Sequence, residues 1–229
     1  MIRLRGTVSI TFDDGYLNQY TEAFPIMEKF DLTGTIYIVT SRIDTNRIPV
    51  RYEPPIESTP LNTEHLEEMH RSGWEIASHT KTHPSRREWK TYTGKKLSDE
   101  LVESKFWLES RGFLKPSFAY PYGVWTTESA LLVEREYGIG RTIEAGLNDH
   151  VSGRLKGVVL YDGIDPRAWI TKATRDKQWL ILVFHGVEQD LRPYGGWCTV
   201  SYLSNCLRMI ISSSLKVKCV KEMRDNIRS

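Results

Sequence analysis

The chain has 229 residues, of which 40% are hydrophobic, enough apolar material for one sizeable core. Its 31 Lys and Arg residues against 29 Asp and Glu give a formal net charge of +2, and this balance gives no reason to expect nucleic acid or an anionic membrane as the main partner. The 3 Cys have no paired spacing and no apolar run approaches about 18 residues, so neither a disulfide framework nor a membrane span is predicted.

The N-terminal residues MIRLRGT lack the apolar core of a secretory signal. The sequence alone therefore favours a cytoplasmic chain, or an extracellular or cell-envelope chain if a leader has been removed. Because the length suits one α/β barrel, we expect a single domain over residues 1–229.

The first predicted strand, residues 7–12, is an apolar, β-prone run that ends abruptly in Asp13-Asp14-Gly15. Two adjacent carboxylates at the end of a buried strand are costly to desolvate, and each shifts the pKa of the other. A cation beside them would remove this cost, and such a cation needs further ligands from elsewhere in the chain.

The elements that follow alternate between strands and helices. Further strands are predicted over 35–39, 74–77, 117–120, 139–143, 156–161, 179–184 and 217–220, and helices over about 20–30, 62–73, 98–111, 127–138, 166–174 and 200–212, with a long irregular loop over 42–60. This alternation implies parallel βαβ units. We expect a distorted, incomplete (β/α) barrel of about seven to eight mainly parallel strands, with ligands beyond the carboxyl ends of the strands.

Polar residues follow the ends of four predicted strands, which places them on one rim of the barrel: Asp13 and Asp14, His79, Tyr122 and His185. His79 and His83 are four residues apart, and Pro84 favours a loop or a first helical turn that brings the two imidazoles together. Two imidazoles and one Asp suit Zn²⁺ or a neighbouring first-row metal and leave positions open for water and substrate, as catalytic sites do.

These residues resemble the motifs of the polysaccharide deacetylases, carbohydrate esterase family four, which are built on the NodB-homology domain. The motifs stand here as Thr11-Phe12-Asp13-Asp14-Gly15, His79-Thr80-Lys81-Thr82-His83, Ala119-Tyr120-Pro121-Tyr122, Asp165 with Trp169, and Leu182-Val183-Phe184-His185. The resemblance runs from about Val8 to Val187 and keeps the family order.

The resemblance implies a role for each matched residue. Asp14, His79 and His83 bind a divalent metal, which is Zn²⁺ or alternatively Co²⁺, Ni²⁺ or Mn²⁺. Asp13 is the general base, His185 is the general acid, and Tyr122 offers its backbone N–H to the oxyanion. Leu182 lines the pocket for the acetyl methyl group, Asp165 orients His185, and Trp169 packs beside it. Pro121 and Trp125 are expected to line the substrate groove.

The third motif departs from the family pattern, because Ala119 stands where the family has an arginine that pairs with the catalytic Asp. Arg141 and Arg154 are the candidates for this role. The function expected is removal of acetate from N-acetylglucosamine units of a glycan. Two alternatives remain, a hydrolase of cyclic imides or other small amides on the same fold and an inactive glycan-binding domain. The sequence does not predict the glycan or the oligomeric state.

Overall fold

The structure is a computed structural model that describes residues 6–45, 59–190 and 196–225. Its main sheet consists of the strands β1 (Thr7–Asp14), β2 (Thr35–Ile38), β3 (Glu75–Ser78), β4 (Phe118–Ala119), β5 (Gly140–Arg141), β6 (Val158–Val159), β7 (Trp179–Phe184) and β10 (Lys216–Val217). The sheet is parallel and has the strand order β5-β4-β3-β2-β1-β7-β6, with β10 added beside the start of β1. The sheet curls into a half-barrel with helices packed around it, which confirms the predicted fold class.

Strand β1 lies in the middle of the sheet, between β2 and β7, and is buried along almost its whole length. Successive side chains of a strand point to opposite faces. Val8, Ile10 and Phe12 therefore pack into the main hydrophobic core with the helices, and Asp13 points into the barrel at the carboxyl end of the strand. Strand β7 has a continuous apolar sequence because both of its faces are buried.

The helices cover the outside of the sheet. They are α1 (Phe24–Lys29) after a π-helical turn (Gln19–Ala23), α2 (Thr63–Arg71), α3 (Arg86–Trp89), α4 (Gly94–Ser98), α5 (Ser104–Glu109), α6 (Thr127–Tyr137), α7 (Arg167–Asp176), α8 (Val200–Ile211) and α9 (Val220–Asp225). Asn62 caps α2 as expected, since its side chain accepts a hydrogen bond from the His65 amide. None of the helices in these ranges is long and apolar enough to cross a membrane.

Several boundaries differ from the sequence prediction. Ser98 does not begin a helix, because α4 and α5 join through a π-helical turn (Asp99–Glu103) into one helical run that starts at Gly94. A second, two-stranded parallel sheet formed by β8 (Val187–Glu188) and β9 (Cys198–Thr199) was not predicted. Most of the predicted loop over 42–60 lies outside the described residues.

One buried carboxylate on β3 links several elements at the amino ends of the strands. Glu75 accepts hydrogen bonds from the Thr35 hydroxyl and from the amides of Ser117 and Lys221. A buried carboxylate needs such partners. It ties α9 across the amino ends of the strands, opposite the rim on which the polar residues lie.

Candidate metal centre and active site

The site begins at the end of β1, where Asp13 and Asp14 point in different directions. Asp14 has a φ of 80°, a left-handed conformation that is uncommon for any residue other than glycine. Gly15, with a φ of 74°, continues this turn. The strained backbone carries the Asp14 carboxylate to the rim, whereas Asp13 stays inside the barrel with 3% exposure.

The two histidines come from the loop after β3, as the sequence predicted. Thr80 and His83 both have positive φ, and the His83 amide donates to the Thr80 hydroxyl at 2.9 Å. This tight loop brings the two imidazole rings to a centroid separation of 4.6 Å without a helix. The loop is also held by the π-helical turn, because the carboxylate of Glu100 accepts hydrogen bonds from the Thr82 amide and hydroxyl.

The nitrogen atoms of both rings converge on one oxygen of Asp14. Nε2 of His79 lies 3.9 Å and Nε2 of His83 lies 3.7 Å from Oδ1 of Asp14, and one ligand atom from each of the three residues lies within 4.8 Å of the others. Nδ1 of His79 lies 2.8 Å from the Ala119 carbonyl oxygen, so it carries the proton and leaves Nε2 as the acceptor. Spacing, donor types and tautomer all suit a divalent first-row ion such as Zn²⁺.

Burial sets the protonation states that a metal site requires. It lowers the pKa of His83 to about 3, with a further lowering from His79, and it also lowers the pKa of His79. Burial alone would raise the pKa of Asp14, but the neighbouring His83, His185, His79 and Arg42 outweigh it and the net shift is downward. At neutral pH the site therefore presents one carboxylate and two neutral imidazoles, the ionisation states in which these groups bind a metal.

Asp13 is paired with a fully buried arginine of β5, a strand that β2, β3 and β4 separate from β1 in the sheet order. Nη2 of Arg141 donates to Oδ1 of Asp13 at 2.5 Å, and the guanidinium lies 5.0 Å from the ring centre of Tyr37. In the sheet, Arg141 on β5 is the register partner of Ala119 on β4, the position at which the family's arginine is missing. Of the two candidates, Arg141 therefore reaches Asp13, whereas the guanidinium of Arg154 lies 4.4 Å from the ring centre of Trp125.

His185 approaches Asp13 from the end of β7. Its Nε2 lies 3.9 Å from Oδ2 of Asp13, the oxygen that Arg141 does not use. Gln19, which the sequence analysis missed, holds this arrangement together. Its buried side-chain amide donates to the backbone carbonyls of both Asp13 and His185, at 2.5 and 3.1 Å. The sequence gives little sign of this role, because Gln19 is one polar residue next to an amphipathic helix, and such a residue usually faces solvent.

Tyr122 lies on the same rim, in a short 3₁₀ turn (Pro121–Gly123). Its φ of 56° is left-handed, and its ring lies 4.9 Å from the His83 ring. A Cβ on Gly123, whose φ is 65°, would lie 2.3 Å from Cγ1 and 2.6 Å from the amide nitrogen of Ile143. The close packing against Ile143 thus fixes the backbone of this turn beside the metal ligands.

Four of the residues expected at the site lie apart from this cluster or remain at its margin. Leu182 is fully buried in the main core together with Phe184, because alternate residues of β7 face the helices, and Val183 faces the barrel interior instead. Asp165 is half exposed and pairs with Arg167, while Nδ1 of His185 is buried and has no hydrogen-bond partner among the described residues. Trp169 packs against the main core, and Trp125 is exposed on the surface.

The family profile for polysaccharide deacetylases matches residues 3–140. The chain belongs to this family. YxkH of Bacillus subtilis (strain 168), whose name assigns it to the polysaccharide deacetylases, is 28% identical over 141 residues, which cover 61% of this chain. The match spans 45% of the length of YxkH, less than half of that relative.

Solved structures share the fold at low sequence identity. The deacetylase PplD of Streptococcus pyogenes, determined in complex with acetate, has a TM-score of 0.61 at 21% identity, over 71% of this chain and 68% of its own. IcaB of Ammonifex degensii has a TM-score of 0.55 at 21% identity, over 74% and 72%. BA3943 of Bacillus anthracis, described as a pseudoenzyme of carbohydrate esterase family four, has a TM-score of 0.62 at 15% identity, over 96% and 66%.

The pairing of Asp13 with Arg141 gives a prediction on stability. Arg141→Ala should lower the free energy of unfolding by about 3–5 kcal/mol, because it leaves the Asp13 carboxylate buried and unpaired. Adding Ala119→Arg to this variant should restore much of the loss, since the register partner can aim a guanidinium at the same carboxylate. Urea denaturation measures both effects. A double variant no more stable than Arg141→Ala alone would contradict the interpretation that Arg141 takes the place of the arginine missing at position 119.

The turn at Tyr122 gives a second prediction. Gly123→Ala should destabilise the protein by more than Gly112→Ala, although both glycines have positive φ. The control has nothing within 4 Å of its added Cβ and therefore carries only backbone strain, about 1 kcal/mol, whereas Gly123→Ala must also displace Ile143. Thermal or urea unfolding of the two variants provides the comparison, and equal losses would show that the turn is not held by this contact.

The buried neutral histidines predict a pH dependence of the metal-free protein. The pKa of His83 is about 3 in the folded chain against 6.5 for a free imidazole, so the unfolded state binds more protons between these values. The free energy of unfolding should fall with decreasing pH across this window, with His83 contributing about 1.4 kcal/mol per pH unit. His83→Gln should reduce the slope by that amount in urea titrations with chelator, and His150→Gln, at an exposed position, should not. Identical slopes in all three proteins would contradict it.

Proposed function

We propose that this protein is a metal-dependent deacetylase that removes the acetyl group from N-acetylglucosamine units of a glycan and releases acetate. The observation that carries the proposal is the convergence of Asp14, His79 and His83 within 4.8 Å, beside a second carboxylate and a third imidazole that face each other at 3.9 Å. Membership of the polysaccharide deacetylases supports the reaction class.

Hydrolysis of an N-acetyl group needs an activated water, a charge partner for the oxyanion and a proton for a poor leaving amine. A divalent ion held by Asp14, His79 and His83 would lower the pKa of water to about 7 and polarise the acetyl carbonyl. The chain's own residues supply the remaining functions, as follows.

Asp13 takes the proton of the attacking water through Oδ2, the oxygen that points away from Arg141. Arg141 pairs with this carboxylate and fixes its direction, in place of the motif arginine that pairs with the catalytic Asp in the family. The backbone N–H of Tyr122 donates to the oxyanion, a contribution of about 3 kcal/mol where such donors have been removed in other enzymes. His185 then passes a proton to the departing amine.

The assignment of Asp165 as the residue that orients His185 finds no support in the contacts of either side chain. The backbone carbonyl of His185 is held by Gln19, so the imidazole is placed through its main chain. Among the residues that remain proposed for the substrate groove, Trp125 is an exposed aromatic ring of the kind that stacks on sugars, and the guanidinium of Arg154 lies over one of its faces.

Acetate release from a chitooligosaccharide such as the N-acetylglucosamine tetramer tests this proposal. The Zn²⁺-loaded protein should release acetate, a chelator should abolish the release, and added Zn²⁺ should restore it. Asp13→Asn and His185→Ala should each slow the reaction about 10²-fold or more while thermal unfolding stays cooperative. Hydrolysis of cyclic imides without acetate release, or oligosaccharide binding without turnover, would show that one of the two alternative functions is the correct one.

A further inference from the structure

An arginine that the family motifs do not include lies beside the metal ligands. Nη1 of Arg42 lies 4.0 Å from Oδ1 of Asp14, the same oxygen on which both imidazoles converge. The Arg42 side chain is only 15% exposed. Arginine is rarely so deeply buried without a partner, because its guanidinium keeps five N–H donors that need acceptors.

The backbone of Arg42 is fixed relative to the metal ligands. It ends a 3₁₀ turn (Thr40–Arg42) that follows β2, and the turn is hydrogen-bonded to the histidine loop. The Thr40 and Ser41 amides donate to the carbonyls of Thr80 and Lys81, at 3.3 and 2.9 Å. The backbone of Arg42 is therefore held in a fixed position next to the metal-binding loop.

The acidic side chain nearest to Arg42 along the chain, and the two acidic side chains that contact the histidine loop, already have other partners. Asp44 accepts hydrogen bonds from the Thr63 amide and hydroxyl, at 2.8 and 2.7 Å. Glu100 is bound to Thr82, and Glu103 is paired with Lys81. Within the described ranges, Asp14 is the one carboxylate that forms an ion pair with Arg42.

A metal ion at Asp14 would compete with Arg42 for the same carboxylate. Asp14 would then be a ligand of the ion, and the second carboxylate of the site, Asp13, is already paired with Arg141. The rim is left with an excess of positive charge, and the largely buried guanidinium of Arg42 then has no other carboxylate partner among the described residues. The planar fork of a guanidinium is matched by a carboxylate or a phosphate, either of which can bind it in a bidentate manner.

We propose that Arg42 binds an anionic group of the substrate, so that the glycan carries a carboxylate or phosphate on the acetamido-bearing sugar or on the sugar linked to it. The short reach follows from the geometry, because the acetyl group must lie at the ion and Arg42 lies 4.0 Å from one of the ion's ligand atoms. This inference rests on the proposed function and narrows its substrate class from a neutral glycan to an acidic one.

Binding to a Zn²⁺-loaded His185→Ala variant tests the inference without turnover. Three matched N-acetylglucosamine oligomers serve as probes: a neutral one, one with a 3-O-carboxyethyl ether and one with a 6-O-phosphate. At least one anionic oligomer should bind about tenfold more tightly than the neutral one in calorimetry, and which one does so identifies the source of the negative charge. Arg42→Gln should abolish the difference, and increasing salt should weaken it.

The matched control is Lys81→Gln, which removes a charge of the same sign from the adjoining loop but one that is paired with Glu103. It should leave the preference unchanged. Equal binding of the three oligomers, no binding of any of them, or equal effects of Arg42→Gln and Lys81→Gln would overturn the inference. Acetate release from the neutral tetramer by the wild-type protein is measured separately, so a failure of the proposed function is told apart from a failure of this inference.

Zn²⁺ affinity provides a second measurement that does not depend on any glycan. Arg42→Gln should tighten Zn²⁺ binding several-fold in chelator competition, because it removes a cation that lies 4.0 Å from a ligand oxygen. Arg42→Lys should bind Zn²⁺ much as the wild type does. If Arg42 served instead to hold Asp14 in place, its removal would weaken Zn²⁺ binding, and that result would contradict the inference.

Discussion

Two adjacent carboxylates at the buried end of β1 constrain everything around them. An unpaired buried carboxylate costs several kcal/mol, so Asp13 and Asp14 each need positive charge within a few ångströms. The chain supplies it to Asp13 directly, through the fully buried Arg141. For Asp14 it supplies two imidazoles that burial keeps neutral, together with Arg42 at 4.0 Å, a set that a divalent ion completes. The two neighbouring carboxylates therefore have different surroundings, and the proposed function rests on that difference.

Sequence reasoning captured the parts of this arrangement that depend on local pattern. Parallel strands place their carboxyl ends on one rim, and this alone predicts that Asp14, His79, His83 and His185 lie close together. The run of β7 was bounded correctly at Trp179–Phe184, because a strand buried on both faces has a continuous apolar sequence. The motifs that resemble those of the polysaccharide deacetylases are the basis for the role proposed for each residue, which spacing alone leaves open.

The contacts that the sequence did not predict depend on the register between strands and on which face of a strand each side chain occupies. Arg141 replaces the missing arginine only because Ala119 is its partner across β4 and β5, a pairing that no local pattern encodes. The sequence analysis assigned Leu182 to the acetyl pocket. In the structure Leu182 packs into the main core, and the next residue, Val183, faces the barrel interior, because successive side chains of a strand point to opposite faces. Gln19 and Arg42 lie in segments without any family motif, and their importance follows only from the groups they contact in three dimensions.

The proposed mechanism requires that Asp14, His79 and His83 together hold one divalent ion. The decisive measurement is the metal content of the folded protein after dialysis, determined by plasma mass spectrometry. We expect one tightly held ion per chain, most readily Zn²⁺, and its loss in Asp14→Ala and in His83→Ala while the fold is retained. A wild-type chain that holds no ion when Zn²⁺ is supplied, or an Asp14→Ala variant that holds it as tightly as the wild type, would show that these three residues do not form the metal site.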